Sequence, residues 1–354
     1  MAKKPPTMAD VAARAGVSKN TVSLALRHSP QIPEVTRRRI AEAAKALKYR
    51  KNAVVAQLMA EMRRAKAPGF QSTLALLNAN PDRDAFRIHP TIPAYVEGCR
   101  RRALELGYAL DDFWLHDPAL GGRRFNKILR ARAIQGVIVV GLMRENRLPE
   151  SYLPTWREFP AVVTGVRTRE PALSFAATDH HMLAVQAFQR AIESGYARPA
   201  LVIDPVIDRL VDGRFSAGIR TAQQDVPSQQ RLRPFFSSAE TPAEEERFRR
   251  WLAREKPDVI LTLYNVVRRW VARLRLSVPR DIGLIQLEWR KSSPEWAGMN
   301  QHNDVVGEVA VEMLVSMIHN NERGVPEFPR ATLVGSTWED GKTMIVPSDA
   351  GART

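Results

Sequence analysis

At 354 residues with 44% hydrophobic content, the chain can fill two or three hydrophobic cores, which excludes a single small domain. Its one cysteine, Cys99, excludes an intrachain disulfide framework or thiolate cluster. The net charge is +15, and residues 1–66 hold 15 Lys or Arg against 4 Asp or Glu. This concentration favours a polyanionic partner, although a merely solvated basic face stays an open alternative.

The N-terminal stretch "MAKKPPTMAD" lacks the apolar segment of a signal peptide, and no run of 18 apolar residues occurs. We therefore expect a cytoplasmic, nucleoid-associated protein with no membrane partner.

Two short helices are predicted in "TMADVAARAGVSKNTVSLALRH", the first beginning after a capping pattern of Thr7 and Asp10. Gly16 can take the positive φ of a tight turn, and Ser18 can cap a second helix that starts at Lys19. Val22, Ala25 and Leu26 are expected to face inward, while the outward residues are Lys19, Asn20, Ser23 and Leu24. This pattern is typical of a helix-turn-helix whose second helix enters the major groove.

A third helix is predicted in "PEVTRRRIAEAAKALKY", with an apolar stripe of Ile40, Ala43, Ala44 and Leu47. The alternative for these three helices is a plain bundle with a basic surface. The coincidence of cap, glycine turn and outward polar residues favours the DNA-binding interpretation.

The run from Thr7 to Ser23 matches "T-x-x-D-V-A-x-x-A-G-V-S-x-x-T-V-S" without a gap, and so resembles the lactose-repressor family of bacterial transcription regulators. The resemblance implies base-reading positions and phosphate-contacting positions on the second helix. The former are Lys19, Asn20 and Leu24, and the latter are Ser18, Thr21, Ser23 and Arg27. Lys and Asn suit guanine and adenine edges, whereas Leu24 offers only apolar contact.

The segment "YRKNAVVAQLMAEMRRAKAPGF" resembles the family's hinge helix, which orders on operator DNA. The resemblance implies that Asn52 and Leu58 contact DNA, with Leu58 as a minor-groove wedge. The alternative is an ordinary amphipathic linker helix.

From Ser72 onward, short apolar runs alternate with helical stretches, which predicts parallel sheets with crossover helices. The clearest strands are "TLALLN", "GVIVVG", "PALVID", "DVILTLY" and "IGLIQLE". Helices are expected at about Ile92 to Leu106, Met182 to Ser194, Asp212 to Gln224, Ala243 to Glu255 and Val305 to Asn320.

The family resemblance implies an α/β fold: an all-α helix-turn-helix head followed by a two-lobed, periplasmic-binding-protein-like core with parallel sheets. We expect the head at 1–51, the hinge and linker at 52–70, and the core at 71–354. Lobe 1 should comprise about 71–177 and 300–333, and lobe 2 about 178–299 and 334–354.

Several core residues match the family's effector-binding landmarks. Glu288 in "VPRDIGLIQLEW" falls on an aspartate that commonly hydrogen-bonds the effector, and Gln301 precedes Gly307 at the family's spacing. Asn265 ends "VILTLYN", and Asn78 is proposed from its position at the end of the first strand. For each, a surface or capping role is the alternative.

Two departures from the family lie near the expected pocket. His180 replaces an Asn after Asp179, and Phe215 stands where an Arg often precedes the helical Gly218. The neighbouring Arg214 is the candidate effector ligand if it points into the cleft. If Phe215 does so instead, an aromatic wall replaces a charge-assisted donor.

Motif spacing argues against catalysis, a cofactor or a metal. "GSTWEDGKT" has five residues between its glycines where a P-loop has four, and is interpreted as a turn. No G-x-G-x-x-G follows a strand, and the adjacent His180 and His181 do not share a helix face.

Together with the resemblance to the family, these observations predict a non-enzymatic repressor. It should bind a palindromic operator as a homodimer under the control of a small molecule, a sugar or sugar derivative. The alternatives are a solute-binding protein or a sugar-processing enzyme with an appended head.

Replacement of Lys19 or Asn20 by Ala should reduce discrimination at one operator base pair by about 1 to 3 kcal/mol, because each removes a base-edge contact. Competition titrations against single-base operator variants measure this. An equal loss on every sequence would contradict a base-reading role.

Overall fold

The computed structural model describes residues 8–25, 32–47, 72–237 and 239–345. Arg27 and residues 52–70, with Asn52 and Leu58, lie outside the described residues, as do the side chains of Lys19, Asn20 and Ser23.

Three N-terminal helices pack around one small core. They are α1 (Met8–Ala15), α2 (Lys19–Ala25) and α3 (Glu34–Ala46). Val11, Val22 and Ile40 meet at its centre and are fully buried. The core is built by the apolar stripes that the sequence predicts.

The turn between α1 and α2 has the predicted construction. Gly16 has a φ of +62°, a value that glycine adopts without strain. The backbone N–H of Thr21 donates to Ser18 Oγ at 3.1 Å, which confirms the N-cap. One expectation needs correction: Leu24 is half-buried against the head's core, because its bulk finds apolar neighbours there.

The core of the protein contains two six-stranded sheets. The first sheet has the order β11-β5-β4-β3-β1-β2, and every pairing in it is parallel. Its strands are β1 (Ser72–Asn78), β2 (Tyr108–Trp114), β3 (Ile134–Val140), β4 (Ala161–Thr164), β5 (Ser174–Thr178) and β11 (Ala331–Val334).

The second sheet has the order β12-β10-β9-β8-β6-β7, and only the pairing of β10 with β12 is antiparallel. Its strands are β6 (Pro199–Ile203), β7 (Phe235–Phe236), β8 (Val259–Thr262), β9 (Gly283–Gln286), β10 (Ala297–Asn300) and β12 (Thr337–Glu339). The α/β class with parallel sheets is thereby confirmed. The predicted turn "GSTWEDGKT" contains β12, because its Trp338 pairs with Met299 across the sheet edge.

Helices cover both faces of each sheet, as crossover connections require. On the first lobe they are α4 (Ala85–Ile88), α5 (Ile92–Glu105), α6 (Gly122–Ala131), α7 (Leu153–Glu158) and α13 (Asn303–His319). On the second they are α8 (His180–Glu193), α9 (Pro205–Leu210), α10 (Arg214–Ala222), α11 (Pro242–Glu255) and α12 (Val266–Arg273). All five helices predicted in the core occur within a few residues of their expected bounds.

The chain passes between the two sheets at three places, after β5, between β10 and α13, and between β11 and β12. Hydrogen bonds join the three crossings to one another. The Thr178 hydroxyl donates to the Gln301 carbonyl at 2.9 Å, and the Asp179 N–H donates to the Val334 carbonyl at 2.9 Å. The His302 ring lies 2.8 Å from the Thr337 hydroxyl. Hydrogen bonds therefore connect all three crossings between the lobes.

Helices α5 and α13 lie in backbone contact on the first sheet. A Cβ on Gly98 would lie 1.8 Å from the Asp304 carbonyl oxygen, and one on Gly307 would lie 2.2 Å from the Tyr95 carbonyl oxygen. Only glycine fits at both positions, so this pair of residues sets the separation of the two helices.

Gly307→Ala should lower the free energy of unfolding by about 2 to 4 kcal/mol, because the added methyl group forces the helices apart. Urea unfolding followed by tryptophan fluorescence measures the core, since every tryptophan lies beyond residue 113. Gly335→Ala is the control, because a Cβ there meets no atom within 4 Å. Equal stability of the two variants would refute the close-contact argument.

Candidate functional site

A cavity of about 320 Å³ lies between the two lobes, at the carboxyl ends of the parallel strands. Both lobes supply its wall. The lining residues are His89, Pro90, Thr91, Tyr95, Gly141, Leu142, Met143, Thr164, Gly165, Val166, His180, Ile207, Leu210, Val211, Phe215, Leu263, Tyr264, Asn265, Glu288, Arg290 and Gln301.

Glu288 is the buried carboxylate of this cavity, with only 8% of its surface exposed. Arg290 Nη2 donates to Glu288 Oε2 at 2.6 Å, and Asn303 Nδ2 donates to Glu288 Oε1 at 3.2 Å. Burial raises the pKa of Glu288, while Arg290, Thr91 and Asn303 oppose that rise. The Glu288 carboxylate thus accepts hydrogen bonds from Arg290 and Asn303 and also lines the cavity.

Gln301 lies beside this group and is almost fully buried. Its Nε2 donates to the Leu287 carbonyl at 2.8 Å, which fixes the orientation of the side chain. The Gln301 Oε1 is then presented as an acceptor. The third sequence-based candidate, Asn265, also lines the cavity; it is an exposed residue between β8 and α12.

Two other sequence-based candidates lie elsewhere. The Asn78 amide donates to the Asp82 and Arg83 carbonyls, both at 3.1 Å, and its Oδ1 accepts from the Asn80 N–H. Asn78 therefore organises the loop after β1 and does not line the cavity. Arg214 lines a small adjoining cavity, next to Arg167 and Asp212, which shares His180 and Val211 with the main cavity.

Phe215, and not Arg214, forms the wall of the main cavity. Its side chain is 1% exposed and lies against the ring of His180, with 4.8 Å between ring centroids. Gly218 makes this contact possible, because a Cβ there would lie 2.4 Å from the His181 carbonyl oxygen and would push α10 off α8.

His180 is the first residue of α8, and the Asp179 side chain caps that helix by accepting from Met182 N–H at 3.2 Å. Burial, followed by the positive charge of Arg214, lowers the pKa of His180 to about 4. The imidazole is therefore neutral at physiological pH, with one nitrogen able to donate and the other to accept.

Contacts across the cleft join the lobes around the cavity. Arg290 Nη2 donates to Thr91 Oγ1 at 3.4 Å, and Asn146 Nδ2 donates to the Leu210 carbonyl at 2.9 Å. Asp212 also accepts from Arg169 at 3.1 Å. Change in the angle between the lobes would break these contacts.

Several lining residues were not predicted from the sequence, among them Thr91, Tyr95, Tyr264 and Arg290. Arg290 could have been predicted, because it lies two residues after the candidate Glu288. The residues from lobe 1 could not, because they lie about two hundred positions away from Glu288 in the chain.

The groups in this cavity can hold a ligand by stacking and hydrogen bonding. In the ranges that the structure covers, no three His, Cys, Asp or Glu side chains are arranged to hold a metal ion. No helix there is long and apolar enough to cross a bilayer.

Two family descriptions match the chain: residues 7–52 match the bacterial regulatory proteins of the lacI family, and residues 188–336 match the periplasmic binding protein-like domain. Residues 7–52 are therefore similar to the DNA-binding head of LacI-family regulators, and residues 188–336 are similar to a periplasmic binding protein-like domain.

The chain is similar to curated transcriptional regulators. The HTH-type transcriptional regulator MalR of Streptococcus pneumoniae is 21% identical over 321 residues, which cover 90% of this chain and 94% of MalR. The HTH-type transcriptional regulator CelR of Thermobifida fusca is 28% identical over 209 residues, 57% of each chain.

Solved structures share the fold of this chain. A transcriptional regulator CelR–cellobiose complex has a TM-score of 0.58 at 21% identity, covering 96% of this chain and 99% of that one. The lac repressor dimer bound to operator and the anti-inducer ONPF has a TM-score of 0.56 at 18% identity, covering 97% and 100%.

The stability of the core should fall as the pH drops from about 6.5 to about 4, because His180 takes up a proton in the unfolded chain but not in the folded one. The lowered pKa corresponds to a loss of about 3 kcal/mol across that window. Urea unfolding at several pH values measures it.

His180→Asn should remove this part of the pH dependence, and the control His181→Asn should retain it. A His180→Asn curve parallel to that of the unmodified protein would count against the buried neutral imidazole.

Proposed function

We propose that this chain is a LacI-family repressor that binds a palindromic operator as a homodimer and releases or tightens it when a small molecule occupies the interlobe cavity. The observation that carries the proposal is the cavity itself, which is walled by both lobes and has the buried carboxylate of Glu288 in its lining. A ligand there contacts both lobes, and so can distinguish between two lobe angles.

The DNA-binding half of the proposal rests on the capped second helix of the head. Its N-terminal residues Ser18, Lys19, Asn20 and Thr21 would approach the major groove, with Ser23, Leu24 and Arg27 beside them. We assign 1–51 to the head and 52–70, with Asn52 and Leu58, to the hinge. A single head contacts few base pairs, so two heads on one palindrome are needed for useful affinity.

The proposed mechanism is linkage between cavity and DNA. Ligand contacts with Glu288, Gln301 and Asn265 on one side and with lobe 1 on the other would favour one lobe angle. The two hinge segments of a dimer, residues 52–70 of each chain, would then shift relative to each other. A coupling free energy of about 1 to 3 kcal/mol is ordinary for such a device. A sugar is a reasonable ligand, since the structural neighbour CelR is described in complex with cellobiose.

Operator selection from random palindromic duplexes tests the DNA-binding half. At moderate salt the selected duplex should bind about a thousandfold more tightly than its scrambled version, as specific sites do. Equal affinity for both duplexes would refute the proposal. Sedimentation in the same buffer should give the mass of a dimer.

Glu288→Gln should leave operator affinity without ligand unchanged but reduce the effect of the ligand by about tenfold or more, because the buried charge that recognises it is lost. Fluorescence anisotropy of labelled operator, titrated with a hit from ligand screening, measures this. Glu193→Gln is the control, because it makes the same change at an exposed residue outside the cavity wall. A full response in Glu288→Gln would move the ligand site elsewhere.

A further inference from the structure

Two arginines of lobe 1 meet one carboxylate of lobe 2 beside the interlobe cavity. Arg169 Nη2 donates to Asp212 Oδ1 at 3.1 Å, and Arg167 Nε lies 3.6 Å from Asp212 Oδ2. Both arginine side chains are more than half exposed, whereas that of Asp212 is 28% exposed. An exposed ion pair contributes little free energy, so this contact between the lobes can open and close.

The lobe-1 side of the contact is fixed by the loop that follows β3. The Arg169 N–H donates to the Asn146 carbonyl at 2.8 Å, and Asn146 Nδ2 donates to the Arg167 carbonyl at 2.6 Å. The same Nδ2 group donates to the Leu210 carbonyl of lobe 2 at 2.9 Å. Asn146 therefore positions the backbone of both arginines and adds an uncharged hydrogen bond between the lobes.

The lobe-2 side is a hydrogen-bonded turn between α9 and α10. Asp212 and Gly213 have φ values of +57° and +71° in this turn. The Gly213 N–H donates to the Asp208 carbonyl at 2.7 Å, and the Ser216 N–H donates to the buried Asp208 carboxylate at 3.2 Å. The Asp208 carboxylate is thus used within lobe 2, while the Asp212 carboxylate is the one that meets lobe 1.

Arg214 places a further positive charge next to this contact. It lines the small adjoining cavity together with Arg167 and Asp212, and no ion pair of its side chain occurs among the described residues. Its charge also acts on the neighbouring His180, whose pKa it helps to lower. Three guanidinium groups therefore surround one carboxylate at the boundary of the lobes. Because like charges repel, the Asp212 carboxylate converts a repulsion between the lobes into an attraction.

We propose that Asp212 is an electrostatic latch, which holds the lobes together in the ligand-free chain and which opens when salt screens it or the carboxylate is lost. Arg214 opposes the latch, because it repels Arg167 and Arg169 across the boundary. The latch concerns the core alone, but its regulatory consequence rests on the proposed function: the fraction of molecules with open lobes would set how fast a ligand enters the cavity.

Single-molecule fluorescence energy transfer measures the latch in the full chain. Dyes are attached at Lys127→Cys on lobe 1 and Arg220→Cys on lobe 2, which are exposed positions, and labelled chains are diluted into unlabelled chains. Cys99 is fully buried and should not take up dye. At low salt, Asp212→Asn should raise the ratio of open to closed molecules about fivefold, because two exposed ion pairs are lost.

The sign of the salt dependence separates the latch from a merely structural role of Asp212. In the unmodified chain, salt screens a net attraction and should raise the open fraction. In Asp212→Asn, salt screens the repulsion among three guanidinium groups and should lower the open fraction. Adding Arg214→Gln to Asp212→Asn removes the cation of lobe 2 and should abolish the salt dependence.

Two further variants complete the experiment. Asp225→Asn is the matched control, since it makes the same change at an exposed residue of lobe 2 outside the contact, and it should behave like the unmodified chain. Arg167→Gln combined with Arg169→Gln removes the attraction from the lobe-1 side. This double variant should also raise the open fraction, so the test does not depend on the folding of one variant.

An unchanged open fraction in Asp212→Asn and in the double arginine variant, or a salt dependence of the same sign in Asp212→Asn and the unmodified chain, would overturn the inference. Operator selectivity is measured on the same preparations. If it persists while the fluorescence result fails, only the latch is refuted. If the operator and scrambled duplexes bind alike, the proposed function fails, and the fluorescence result still decides whether the latch exists.

Discussion

The backbone contact between α5 and α13 determines how the rest of the core fits together. Gly98 and Gly307 let the two helices touch, and no larger residue fits between them. Helix α5 brings Thr91 and Tyr95 to the cavity at its N-terminal end, while α13 begins with Asn303, which donates to Glu288. The position of the cavity's carboxylate against lobe 1 therefore depends on two residues that do not line the cavity.

Much of the fold could be predicted from sequence because central parallel strands are continuous apolar runs. β1, β3, β6, β8 and β9 are of this kind, and each was found. The edge strands were harder: β2 reads "YALDDFW", with two adjacent acids, and β7 has only two residues. An edge strand pairs on one side only and exposes part of its surface, so its composition resembles that of a loop.

The site was predictable where the family's landmarks keep their spacing, as at Glu288, Gln301 and Asn265. It was not predictable where the answer depends on helix rotation. Whether Arg214 or Phe215 faces the cavity is decided by the contact of α10 with α8 at Gly218, which is a tertiary constraint. Asn78 ends a strand as expected, but its amide group donates to two carbonyl groups of the loop that follows β1.

The three chain crossings, joined by the hydrogen bonds of Thr178, Asp179 and His302, restrict how the lobes can move. Three linked backbone segments allow bending about a single axis and resist sliding or separation. The first strand of lobe 1 is the one that follows the head and linker in the chain. Reorientation of lobe 2 against lobe 1 is therefore limited to rotation about that axis, and the freedom of the crossings limits how far a ligand in the cleft could change the angle between the lobes.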